Sequence, residues 1–212
     1  MPAQRERPLL EATLETSEVV IDALVADKVL SEIPIIGTAI KICKAVDDIR
    51  NRAFASKLAR FVSGFSSETE ETRDKWRERL AASPEETRRV GETLFFILER
   101  LTDFDKPMLL SRLFLAFVDQ VISGEELRRL AQAIDSSFID DLYRLMETAE
   151  IPSKSQEAWM RNMATSGLTQ IVAGKTYDEI GELYFEVSPL GDKLRNAFAH
   201  GRRYDSQVAR PK

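Results

Sequence analysis

The chain holds one histidine, His200, and it closes a run in which Arg195 and Asn196 stand five and four residues earlier, in the stretch LRNAFAHG over residues 194–201. An imidazole can take up and return a proton near neutral pH, and a guanidinium can stabilise charge developing on a phosphate. On a helix Asn196 and His200 share a face, so the amide could fix the tautomer of the imidazole, while Arg195 points elsewhere and must reach by its length. The types and spacing therefore raise nuclease chemistry. They are equally what an amphipathic helix requires: Leu190, Leu194, Ala197 and Phe198 would bury one face, and the polar residues fall on the other. No Walker loop, dinucleotide-binding turn or Ser/His/Asp set stands elsewhere in the chain, and neither a metal site nor a cofactor is expected.

The elements that must position these residues are mostly helices. Apolar residues recur at spacings of three and four up to about residue 167, with no alternating strand pattern before that point. Leu10, Leu14, Ile21, Leu24, Val25 and Val29 make a first helix that Pro34 stops, and a second over 38–62 turns Ile40, Cys43, Val46, Phe54, Leu58 and Phe61 inward. Ser67 and Glu70 form a capping-box pattern ahead of a helix anchored by Trp76 and Leu80. Ser83 and Pro84 start the next, with Val90, Leu94, Phe95, Leu98 and Leu101 inward. Asp105 can cap a helix of Leu109, Leu113, Phe114, Phe117 and Val121, and Ser123 with Glu126 caps another that holds Leu127, Leu130 and Ile134. After Ile151 and Pro152 the reading is a helix over 155–165, a left-handed Gly167, the two β-prone runs LTQIVAG and ELYFEV, and a last helix capped by Ser188. Trp76 and Trp159 lie on helical stripes, as core or interface residues.

Length and charge narrow the function. The chain has 212 residues, enough for a real core without staples, and its net charge of −5 argues against general phosphate binding. Cys43, the only cysteine, reads as a buried thiol. The first residues lack the apolar run of a signal peptide and no run reaches the roughly 20 apolar residues of a spanning helix, so the expected location is the cytoplasm. Basic residues collect only in GRRYDSQVARPK at residues 201–212, read as a flexible tail.

Two resemblances add to this. Met163, Gly167, Leu168, Tyr184, Val187, Ser188, Pro189, Leu190 and Gly191, in the order helix, Gly-Leu, hairpin, Ser-Pro-Leu-Gly, helix, resemble the winged-helix domains of bacterial regulators such as the PadR and MarR families. That likeness covers residues 123–200 and implies a recognition helix offering Lys154, Gln156, Arg161 and Asn162 to nucleic acid. The hairpin region carries Asp178, Glu179 and Glu182 instead of the bases that phosphate would need. Arg195, Asn196 and His200 resemble the Arg-Asn-x-x-x-His signature of HEPN ribonucleases, which implies metal-independent cleavage: His200 as general base toward a 2′-hydroxyl, Arg195 on the phosphate, and Arg202 and Arg203 on the RNA backbone. The N-terminal part is similar to uncharacterised bacterial helical proteins, a likeness that suggests phage defence or mobile elements as context.

The expectation is thus a mainly α protein: an N-terminal helical bundle over 1–122 and a C-terminal winged-helix-like unit over 123–200 with one small β-hairpin. Its leading function is non-enzymatic binding of protein partners, with a homodimer and nucleic acid as further candidate partners and a membrane disfavoured. The alternatives are the ribonuclease, with Arg195, Asn196 and His200 as its site, and a membrane-perturbing effector acting through residues 29–46.

Overall fold

The computed structural model describes Gly37 and residues 49–65, 68–149, 151, 154–174 and 181–208, excepting the side chains of 49–52 and 203–208. The expected first helix, Cys43, Ser67 and, apart from Gly37, the segment 29–46 lie outside the described residues.

The fold is mainly helical with one two-stranded antiparallel hairpin. In chain order the helices are α1 (Ile49–Ser63), α2 (Glu70–Ala82), α3 (Pro84–Arg100), α4 (Lys106–Val118), α5 (Gly124–Ser136), α6 (Ile139–Glu147) and α7 (Ala158–Asn162); β1 (Thr169–Ala173) and β2 (Leu183–Val187) follow, then α8 (Pro189–Val208). The sequence of α4, KPMLLSRLFLAFV, is apolar on almost every side, and it is buried along nearly its whole length. Helices α1, α2, α5 and α8 pack against it. An aromatic seam joins the first of these to α4: Phe61, Phe65 and Phe114 have ring centroids 5.4 to 5.8 Å apart, and Trp76 stands edge-on to Phe65. One buried apolar cluster runs from Phe54 to Phe198, so the parts on either side of residue 122 share a core.

Several local expectations hold. Ser123 and Glu126 make the full capping box, Gly167 takes a left-handed φ of 76°, and Ser188 accepts a hydrogen bond from the Gly191 N–H at the start of α8. Trp76 and Trp159 are buried.

Others are corrected. The cap of α2 is Thr69, whose Oγ1 accepts from the Thr72 N–H. Asp105 does not cap α4 with its side chain but accepts from Arg60 at 2.8 Å. Val121 is 45% exposed, because α4 stops at Val118 and the chain turns through Gln120. The helix expected over 155–165 shrinks to α7, since Ser155 exchanges two 2.8 Å backbone hydrogen bonds with Phe185 and is held extended. Residues 201–208, expected as a tail, continue α8.

Candidate functional site

Helix α8 buries Leu194, Ala197, Phe198 and Gly201, a stripe at spacings of three, four and seven that faces α4. The glycine is required by closeness: a Cβ at Gly201 would stand 2.6 Å from Cβ of Arg112 on α4. Gly191 answers the same need at the other end, where a Cβ would lie 2.2 Å from the Leu168 carbonyl oxygen. The apolar letters of LRNAFAHG are thus the packing seam of α8, and its polar letters flank that seam.

Those polar residues go to different places. Arg195 donates from Nη2 to the Thr148 carbonyl at 2.8 Å and from Nη1 to the Leu145 carbonyl. Both acceptors belong to the last turn and cap of α6, where carbonyls lack helical partners and the helix dipole favours a cation. Asn196 is exposed. His200, four residues on, has Nε2 2.7 Å from Oδ2 of Asp119, and the two side chains are 20% and 22% exposed.

Asp119 is the C-cap of α4, and the chain there closes a Schellman turn. Gln120 sits at φ 62°, its N–H donates to Phe117, and the Val121 N–H reaches back to Ala116 at 2.8 Å. This holds a carboxylate at the end of a helix whose dipole disfavours it. Trp76 Nε1 donates to the other oxygen, Oδ1, at 3.3 Å, so the indole and the imidazole together satisfy the acid. Glu68 lies in the same neighbourhood. Burial pushes its carboxyl above the ordinary value, Arg73 opposes that, and the Asp119 charge adds to it.

The nucleic-acid candidates are not gathered into one surface row. Lys154 Nζ lies 4.6 Å from the centre of the Tyr184 ring on β2, and Gln156 donates to Glu182, just before that strand, at 2.6 Å. Asn162 donates to Asp141 of α6 at 3.1 Å, and Arg161 is exposed. Arg202 is on α8, its guanidinium 5.9 Å from the Phe198 ring centre, and the Arg203 side chain lies outside the described residues.

A cavity of about 610 Å³ opens where the N-termini of α3 and α5 meet, lined by Ser83, Arg89, Ser123 and Arg128 among others. Its anion position is filled by the chain itself, because Glu86 Oε1 accepts from the Gly124 N–H at 3.0 Å. Among the described residues no cluster of His, Cys, Asp and Glu could hold a metal ion, and no helix is long and apolar enough to cross a membrane.

No protein-family model matches the chain, and no curated protein or solved structure matches it. The geometry alone carries the functional argument.

Asp119 is the residue that reading the sequence missed. Its signal was an acid at the end of an apolar helix with no basic residue nearby in sequence, and its partners stand 43 and 81 positions away.

Proposed function

We propose that this chain is a non-enzymatic interaction protein whose C-terminal winged-helix-like unit meets a protein partner through its β-hairpin. The observation that carries this reading is the chemistry of the exposed hairpin end: Ile171 and Leu183 are each 58% exposed, where contact with phosphate would call for Lys or Arg. Its polar flank is acidic, with Glu186 held by Gln170 and Glu182 held by Gln156, and it would repel a nucleic-acid backbone. Arg195 supports the same reading from the other side, since its guanidinium is engaged at the end of α6. The bacterial regulatory and defence setting comes from the family resemblances alone.

One observation favours a second reading. A carboxylate 2.7 Å from the Nε2 of a histidine is an arrangement that orients a general base, and Arg202 lies two residues along the helix. The ribonuclease with His200 as base therefore remains the alternative, although Arg195 reaches away toward α6.

Incubation of the purified protein and its His200→Ala variant with total RNA in EDTA separates the two. The interaction reading expects intact RNA with both proteins, together with loss of a co-purifying partner in a Leu183→Lys variant. Cleavage by the wild type that His200→Ala abolishes would overturn it.

A further inference from the structure

The hairpin has two outer edges, and the structure treats them differently. Strand β1 pairs with β2 so that Gln170 faces Glu186, Ile171 faces Phe185 and Val172 faces Tyr184. The Ser188 N–H donates to Leu168 and the Gly174 N–H to Glu182, which places the even-numbered residues of β1 in hydrogen-bonded pairs with β2. Thr169, Ile171 and Ala173 consequently turn their N–H and C=O groups outward. On β2 the corresponding outward groups of Phe185 are both bonded to Ser155 at 2.8 Å. On β1, among the described residues, no backbone hydrogen bond reaches the outward groups of Ile171 or Ala173.

Exposed edges are ordinarily defended by a charge, a proline or a bulge, because an open ladder invites another strand. Strand β1 reads Thr-Gln-Ile-Val-Ala and has neither charge nor proline, and its register with β2 is unbroken. The pleat puts Ile171 on the face of Phe185, and Ala173 on the face of Leu183, so the open edge borders an apolar surface.

We propose that a second copy of this chain adds its own β1 to this edge, antiparallel and about a two-fold axis at Ile171, to make a four-stranded sheet. The inference rests on the reading of the hairpin as a contact surface and names its partner. Self-pairing fits because the outward groups belong to odd-numbered residues, so an axis at Ile171, midway along the strand, sets the open groups of one copy against the same groups of the other. Ile171 then opposes its own mate and Gln170 opposes Val172, while Thr169, buried within its own copy, marks the end of the seam. No charge meets a charge in that seam. The carboxylates Glu182 and Glu186 sit on the far side of β1, hydrogen-bonded within their own copy. Three strand spacings separate Glu186 from its counterpart, about 14 Å, well beyond the physiological screening length. An axis at Ala173, the last residue of β1, would instead carry half of the ladder past the end of the strand, and one at Thr169 would fall on a residue already buried. Two five-residue strands make a small seam, so the dimer forms reversibly and with concentration.

Sedimentation velocity on the full chain over a wide concentration range tests this. The wild type is expected to move from the 24.1 kDa monomer toward twice that mass as concentration rises. Ile171→Lys sets two like charges opposite one another on the axis and should stay monomeric, with an unchanged circular-dichroism spectrum because the outward groups of residue 171 take no part in the hairpin. In a Cys43→Ser background, Ile171→Cys should oxidise to a covalent dimer, since directly opposed Cα atoms about 5.5 Å apart suit a disulfide. Gln170→Cys, which faces Val172 of the mate, should not. A wild type that stays monomeric throughout, or a dimer that Ile171→Lys leaves intact, overturns the proposal. Loss of a different captured protein on Leu183→Lys alongside a monomeric wild type would sink the second copy alone, whereas RNA cleavage dependent on His200 with the dimer present would sink the interaction reading alone.

Discussion

Helix α8 sends two basic side chains to the C-terminal ends of two other helices, and they do related work by different means. Arg195 meets the bare carbonyls at the end of α6 directly. His200 meets the end of α4 through a carboxylate, Asp119, that Trp76 also holds. A guanidinium is charged throughout and needs only oxygen acceptors. The contact at α4 is a hydrogen bond to a carboxylate, and it is an ion pair only when the imidazole is protonated. The first and last letters of one motif thus serve as a fixed clamp and an adjustable one. Their spacing follows from where α6 and α4 end.

The largest effect should come from breaking the fixed clamp. Arg195→Ala is expected to lower the urea-unfolding free energy by about 2 kcal/mol, the range for hydrogen bonds from a charged donor to partly buried acceptors. Arg195→Lys should recover only part of it, because an ammonium cannot span both carbonyls. A destabilisation near zero would mean that α6 ends without this support.

Breaking the adjustable clamp should cost less. His200→Ala is expected to lose about 1 kcal/mol, and most of that loss should vanish in an Asp119→Ala background if the pair is the source. Full additivity in that double-mutant cycle would remove the Asp119 contact from the account of His200.

The smallest effect concerns pH and sharpens the contrast, because titratable acids cluster at the α4 end. Burial raises the Glu68 carboxyl, so the folded state binds its proton more tightly than the unfolded chain. That contribution is full below the ordinary carboxylate value and is lost as pH rises through the raised one. Glu68→Gln should therefore stabilise the protein at neutral pH and leave it unchanged in acid, as read by melting temperature. Equal gains at both pH values would point away from the ionised carboxylate.

Much of the fold was legible because its signals are local. Ser123 with Glu126, Ser188 before Gly191, and Gly167 each announce a helix end within a few residues, and the apolar stripe of α8 follows from its own period. Helix α6 was not resolved as a separate element, since its N-cap is Phe138, which has no side-chain oxygen to offer. Extended chain at Ser155 was hidden for a different reason: its partner, Phe185, is thirty positions away. The same limit governs the candidate site. Sequence presented Arg195, Asn196 and His200 as one constellation because they are neighbours, while what Arg195 and His200 touch is set by the ends of helices 47 to 81 positions earlier.

The burial of α4 also sets the order of events during synthesis. Its partner α8 is the last helix of the described residues to leave the ribosome, after α5, α6, α7 and the hairpin. At ordinary elongation rates the delay is several seconds. Throughout that interval the side of α4 that α8 will cover, with Arg112 not yet lying over Phe198, faces solvent or a chaperone in place of its helix.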